Sequence, residues 1–293
     1  MTDPIVVSYS ELDTFRQCPL KHHLGYKLRY RKPNVEGSAL SRGSLWHEVL
    51  EIHYRELAAR QSTRALSRAK KQVARHLTDP VTGERTEQQE LIWWMYLGHV
   101  EAYGADEQWE ILEVEYPFEV GLVEAEGDKP EIRFKGKMDL LVRDRATGKV
   151  WIVDHKSGAE LPSAKVIDID DQFGLYLAAT RTLGIAATGT IHSAARTRQL
   201  VGDKTGDKPT PLDKRFLRTI SMRTDVELDN ILMDARRAAI AAYSQTDAPY
   251  SSPNPDQCRW RCDFLEAHML MRKGVKPTVA LSSFGFEQDY TRH

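Results

Sequence analysis

The stretch Gly136-Lys137-Met138-Asp139-Leu140, followed by Val150-Trp151-Ile152-Val153-Asp154-His155-Lys156, decides how this chain is read. Two acids and a lysine lie at the ends of two apolar runs, which the turn-forming Arg145-Ala146-Thr147-Gly148-Lys149 separates. Ile132 to Val142 mixes β-branched and long apolar residues and Val150 to Val153 is almost wholly apolar, so each run predicts a strand. Side chains alternate along a strand, so Asp154 and Lys156 share one face and His155 points to the other. Paired carboxylates beside an ammonium suit metal-assisted cleavage of a phosphodiester: the acids hold a hard divalent cation and the lysine sits near the attacked phosphate. Asp-x-Lys on a strand is also an ordinary surface ion pair of little energetic worth, so the rest of the chain must decide.

Working outward, Trp109 to Val120 alternates and predicts a strand before this pair, with hairpin-like connections between the three. Asp168 to Leu183 reads as a helix, Ala187 to Ser193 as a fourth strand, and 201–214, rich in Lys, Gly, Asp and Pro, as a mobile loop. Val226 to Tyr243 is an amphipathic helix, and the tail from Pro253 reads as irregular. Upstream, residues 8–24 read as a helix interrupted by Pro19, and 42–60, 63–77 and 86–104 as further helices, with Asp79-Pro80-Val81-Thr82-Gly83 as a break. The expectation is one domain over 1–293: a helical part (1–104), an αβ core (105–200), then a C-terminal helix and cysteine tail (201–293).

Hydrophobic residues at 41% and charged residues at 28% describe an ordinary globular protein able to bury a large core. The net charge of -1 gives no global attraction to nucleic acid, so any such binding needs local basic patches. No apolar run approaches the ~20 residues needed to cross a membrane. The start Met1-Thr2-Asp3-Pro4 lacks a basic, apolar leader, so no membrane association and a cytoplasmic location are expected. Three cysteines are too few and too unevenly placed for a disulfide scaffold.

The order helix, three strands, helix, strand, with Gly136-x-x-Asp139 and Asp154-x-Lys156, resembles the PD-(D/E)XK nuclease superfamily. Within it, the likeness is to RecB-type nuclease domains and the CRISPR-associated and phage iron–sulfur exonucleases related to them. Tyr9-Ser10-Glu11-Leu12 with Phe15 and Cys18-Pro19 resembles the N-terminal motif of that group. Arg42-Gly43-Ser44-Leu45-Trp46-His47 matches its Gly-x-x-x-His motif, and Gln172-Phe173-Gly174-Leu175-Tyr176 its Gln-x-x-x-Tyr motif. The resemblance implies an α/β, restriction-endonuclease-like core, a central mixed sheet flanked by helices, with an N-terminal helical layer and a C-terminal cysteine-bearing tail. It also implies that His47, Asp139 and Asp154 hold Mg²⁺ or Mn²⁺, with the carbonyl of His155 completing the shell. Lys156 then orients or deprotonates the attacking water, or stabilises charge on phosphate. Two carboxylates would raise its pKa rather than lower it, so charge stabilisation is the expected role. Gln172 and Tyr176, four apart on one helix face, are implied to line the nucleic-acid side of the catalytic set. Asp154 stands where Glu is commoner, and His155 fills the middle slot; Asp ligates as well as Glu. Glu115 reads as a solvated strand residue rather than a metal contact.

In several members of the resembled group, one N-terminal and three C-terminal cysteines hold a 4Fe-4S cluster. Here Cys18, Cys258 and Cys262 stand in the matching places, the fourth cysteine is missing, and His268 lies about where it would be. A Cys₃His cluster, a Cys₃His zinc site and plain buried thiols are the three alternatives. Arg196 and Arg198 are expected to track DNA phosphates, joined by Lys204, Lys208, Lys214, Arg215 and Arg218 around the loop and by the early cluster Arg29-Tyr30-Arg31-Lys32. The expected function is therefore a metal-dependent exonuclease acting on single-stranded or duplex DNA ends in recombination or repair of phage or bacterial type, with a possible recombination or helicase partner. The alternatives are a catalytically idle DNA- or helicase-binding module of the same fold, or cutting of internal or RNA bonds.

Overall fold

The computed structural model describes residues 3–33, 37–59, 61–244 and 249–290. In chain order the elements are β1 (Ile5–Ser8), α1 (Tyr9–Gln17), α2 (Pro19–His22), a π-helical turn (His23–Lys27), β2 (Tyr30–Arg31), α3 (Ala39–Ala59), α4 (Thr63–His76), α5 (Glu87–Tyr103), β3 (Trp109–Val123), β4 (Ile132–Asp144), β5 (Val150–Gly158), α6 (Ala164–Asp168), α7 (Asp171–Thr182), β6 (Ala187–Arg196), α8 (Val201–Thr205), a 3₁₀ turn (Leu212–Lys214), β7 (Phe216–Ser221), α9 (Asp225–Ser244), α10 (Pro255–Arg261), α11 (Leu265–Met271), α12 (Pro277–Ser282) and β8 (Glu287–Gln288). Arg60, the expected end of the second long helix, lies outside the described residues. The chain divides into two compact units, neither contiguous in sequence: one is built from residues 1–34, 121–135 and 232–293, the other from 35–120 and 136–231.

The second unit is a mixed sheet in the order β4-β5-β6-β7, with β3 also paired to β4. β4 and β5 are antiparallel, β5 and β6 parallel, and β6 and β7 antiparallel. The turn between β4 and β5 closes because Asp144 Oδ1 accepts from the Thr147 N–H and hydroxyl, while Gly148 takes φ 69°, where a side chain would be strained. α3, α4 and α5 begin on good caps or gather apolar residues onto one side. Ser62 caps α4, and Thr86 with Gln89 forms a capping box on α5. Trp46, Leu50, Tyr54, Ile92, Met95 and Tyr96 from these helices share one core with Leu140, Val142, Trp151, Val153 and Ile191 of the sheet. That face also receives His155, as strand alternation from Trp151 and Val153 requires.

Several expectations change. The predicted helix 168–183 is broken, because the Asp170 side chain accepts from the Gln172 N–H at 2.9 Å and starts α7 afresh. The predicted mobile loop 201–214 carries α8 and a 3₁₀ turn, stapled by Asp203, which accepts from the Leu200 and Thr210 N–H groups at 2.8 and 2.7 Å. β7, unanticipated, follows it. Arg215 and Arg218 flank or lie on this strand and are not surface cations: Arg215 is 7% exposed, with its guanidinium 3.8 Å from the Trp94 ring centroid. Arg218 donates two hydrogen bonds to the fully buried Asp106, at 2.5 and 2.8 Å, between the rings of Tyr103 and Trp109. Tyr54 donates to the same carboxylate at 2.7 Å.

In the first unit, β1 runs parallel to residues 132–135, and the Ser8 hydroxyl caps α1 by accepting from the Glu11 N–H. The Glu11 carboxylate is buried with His22 at 3.0 Å and accepts from the Tyr243 hydroxyl at 2.6 Å, tying the two chain ends. The tail is not irregular: α11, α12 and β8 pack Phe264, Leu281 and Phe286 on Leu24. The early basic–aromatic cluster belongs to this packing. Tyr30 and Arg31 pair with Gln288 and Glu287, the Arg31 guanidinium lies over Tyr26, and Lys32 lies over Phe286.

His53, fully buried in the second unit, meets the Tyr96 hydroxyl through Nδ1 at 3.1 Å, and burial holds its pKa down at about 4. The unfolded chain binds a proton near 6.5, so the stability this neutral ring contributes is complete above that pH and is lost as pH falls toward 4. Urea unfolding of the wild type should weaken over this window, and His53→Gln should lower the slope by up to about 1.4 kcal/mol per pH unit. Equal slopes for the two proteins would show that His53 is not held neutral.

Candidate active site

The β4–β5 ladder ends at the pair Leu140–Val153. Beyond it the His155 N–H has no strand partner on β4, and the Asp139 side chain takes it instead, Oδ2 accepting at 2.7 Å. The same oxygen lies 3.3 Å from His47 Nδ1, presented by α3. Burial alone would raise the Asp139 carboxyl, but His47 and the His155 N–H together hold it below its ordinary value. His47 moves the opposite way: burial would depress the imidazole, and Asp139 with Asp154 raises it.

Glu115, expected to be solvated, is the residue the sequence undervalued. Its side chain is only 7% exposed and forms an ion pair with Lys137. A φ of 57°, costly for a side chain in a strand, turns it toward Asp139. Donor atoms of His47, Glu115 and Asp139 all lie within 4.8 Å of one another; among the described residues they are the one such group of three. An imidazole nitrogen with two carboxylate oxygens fits a divalent cation of the Mg²⁺ or Mn²⁺ kind. No feature of local sequence reveals the backbone turn that brings Glu115 in.

Asp154 stands beside this group rather than within it. It is 3% exposed, and its Oδ2 lies 2.8 Å from Lys156 Nζ. Lys156 Nζ donates its hydrogen bond to the other oxygen, Oδ1, at 3.0 Å, and among the described residues Oδ2 has no hydrogen bond, which leaves it able to face a cation. Burial, with the Asp139 charge, pushes the Asp154 carboxyl up to about 6 against the pull of Lys156. Burial would depress Lys156, but Asp154 and Asp139 push it up to about 12, so it is an ammonium at neutral pH. Gln172 reaches Asp154 Oδ1 with a long 3.4 Å contact from Nε2. Tyr176, one turn on, packs its ring edge-on against Phe118 at 5.2 Å.

Gly136 has a steric reason. A Cβ there would lie 2.7 Å from Phe118 Cε1 and 3.1 Å from Tyr176 Cε1, so the two aromatics close over a bare backbone. His155, buried on the opposite face, keeps its side chain out of the site, and burial holds its ring neutral with a pKa of about 3. Arg196 and Arg198, at and after the end of β6, both face Glu160, at 3.6 and 3.0 Å. Their charge is therefore partly spent within the protein. In the first unit, Cys18, Cys258, Cys262 and His268 line one cavity, and all three thiols are free.

A strand-borne Asp139 beside a helical His47, with the Asp154-x-Lys156 pair next to them, brings the residues of the expected motifs near one another. The family model of the PD-(D/E)XK nuclease superfamily matches residues 6–267, and the chain belongs to that superfamily. Comparison with curated proteins gives no match. Among solved structures, a "Putative exonuclease" from Eubacterium rectale is 15% identical, with 87% of each chain covered and a TM-score of 0.47. The protein SSO0001 is 12% identical over 90% of this chain and 85% of its own, with a TM-score of 0.40.

Because Glu115 supplies one of three clustered donors, Glu115→Gln should weaken Mn²⁺ binding roughly tenfold, the worth of about 1.4 kcal/mol. Calorimetric titration with Mn²⁺ measures this directly, and unchanged affinity would return Glu115 to the role of a partner for Lys137 alone.

Proposed function

We propose that this chain is a divalent-metal-dependent exonuclease of the RecB-like kind, hydrolysing DNA at its ends in recombination or repair. The observation that carries this is the gathering of His47, Glu115 and Asp139 donors within 4.8 Å, next to the Asp154–Lys156 pair. When bound, the cation supplies charge to a phosphate oxygen and acidifies a water molecule. The chain's own groups do the rest. His155 N–H orients Asp139, and Asp154 holds Lys156 in reach of the phosphate. Lys156, fully charged at neutral pH, stabilises the charge that grows on phosphate and does not act as a base. Gln172 and Tyr176 line the approach beside Asp154. Gly43, one turn before His47, leaves nothing within 4 Å of where a Cβ would stand, which gives a nucleic-acid backbone room to come close. An idle binding module needs none of these groups, which speaks against that alternative. A DNA substrate, a recombination or helicase partner and a cytoplasmic setting belong to the same proposal; among the described residues no helix is long and apolar enough to cross a membrane.

Digestion of end-labelled linear and covalently closed DNA with Mg²⁺ or Mn²⁺ tests it. Linear DNA alone should be degraded, and Asp154→Ala and Lys156→Ala should each slow the reaction by roughly 10²–10⁴-fold. Cutting of closed circles would make the enzyme an endonuclease, and no cutting with either metal would favour the binding module.

We also propose that the Cys18, Cys258, Cys262 and His268 cavity holds a 4Fe-4S cluster. Cys258 and Cys262 stand one helical turn apart, and Cys18 sits where α1 gives way to α2. A tetrahedral zinc shell needs sulfurs about 3.8 Å apart, from Zn–S bonds of about 2.3 Å. Among the described residues no three of these donors lie within 4.8 Å of one another, whereas each cluster ligand binds a different iron and stands further from its neighbours. Anaerobic reconstitution with iron and sulfide should give a brown, visible-absorbing protein. Stoichiometric zinc in the purified protein, with no uptake of iron, would assign the site to zinc.

A further inference from the structure

A buried polar cluster in the second unit takes no direct part in this chemistry. Tyr54, Asp106, His99 and Arg218 are tied by the Tyr54 hydroxyl, which donates to Asp106 Oδ2 at 2.7 Å, accepts from Arg218 at 3.1 Å and lies 3.2 Å from His99 Nε2. A buried ion pair such as Arg218–Asp106 adds little net stability, and its attested use is to hold one geometry. What it holds here is the Tyr54 ring, which lies almost parallel on the His155 imidazole, centroids 5.3 Å apart and planes 14° apart.

His155 is itself peculiar. Its side chain is buried, and among the described residues neither ring nitrogen has a hydrogen-bond partner. An apolar ring would avoid that cost. Among the described residues its ring contacts are the Tyr54 stack and the edge of His99, 6.3 Å away. Yet its backbone N–H fixes Asp139, and its chain neighbours are Asp154 and Lys156. Tyr54 reaches the site by a second route. It stands seven residues after His47 on α3, close to two full turns, so both side chains leave the same face of one helix.

We propose that Tyr54, locked by Asp106 and Arg218, is the positioning residue of the metal site, setting the His47 helix and the His155 strand at a common distance. The inference rests on the metal-site reading above. A shift of even an ångström between helix and strand would separate His47 from Asp139, and the geometry of metal ligands tolerates about half that.

Mn²⁺ titration by calorimetry tests this without any nuclease assay. Tyr54→Leu, which loses the stack, should bind Mn²⁺ at least tenfold more weakly than wild type. Tyr54→Phe, which keeps the ring, should recover most of that affinity even where its Tm falls. Leu57→Ala, a core change on the same helix, should lower Tm yet leave Mn²⁺ affinity within about twofold, a spread worth under 1 kcal/mol. His155→Ala removes the other half of the stack and should reproduce the Tyr54→Leu loss, which serves if Tyr54→Leu does not fold. Wild-type affinity in Tyr54→Leu or His155→Ala would overturn the inference, as would a loss in Leu57→Ala equal to theirs. A wild type that binds no Mn²⁺ would overturn the metal site and this inference together.

Discussion

One hydrogen bond organises the rest of this protein: the His155 N–H donating to Asp139 Oδ2 at 2.7 Å. It forms where the β4–β5 ladder stops, so a backbone donor that the sheet leaves free is satisfied by an acid from the neighbouring strand. Past the last ladder pair the Asp139 side chain takes over the link between the two strands, with Asp154 next to the residue it binds. The helix layer then has only to deliver His47 to the outer side of Asp139, and the aromatic pair Phe118–Tyr176 can close over Gly136 behind it.

How much of this was legible follows from where the information resides. Strands β3 to β6 and the helices α3 to α5 were readable because each carries an apolar run, alternating or continuous in the strands and at the helix period in the helices, bounded by turn-forming residues. That Asp139, Asp154, Lys156, His47, Gln172 and Tyr176 come near one another was foreseeable because each sits at a fixed offset in such an element. β1 and β7 were not: β1 is four residues long, and β7 hides behind a stretch whose arginines read as solvent-facing. Arg215 and Arg218 are buried because Trp94, Tyr103, Trp109 and Asp106 surround them, partners more than a hundred residues away. No local pattern carries that. The helical tail was hidden for the same reason, since α11 and α12 are short and held by packing on Leu24.

Glu115 marks the boundary of sequence reading most sharply. Its neighbours alternate as in any half-buried strand, and alternation alone makes it a solvated acid. The left-handed backbone at this one residue overrides the pattern and aims the carboxylate inward. Such strain is tolerated where surrounding structure over-determines it, and the Lys137 ion pair with the Asp139–His47 contact does so here.

The electrostatics bear on why a chain of net charge -1 can act on a polyanion. At the site, Glu115, Asp139 and Asp154 are set against Lys137 and Lys156, so without a cation the pocket does not attract phosphate. Arg196 and Arg198, the nearest cations along β6, are turned to Glu160. On the proposed reading, a divalent cation held by His47 and the acids would offset their charge and so favour the approach of phosphate, with Lys156 still held in reach by Asp154.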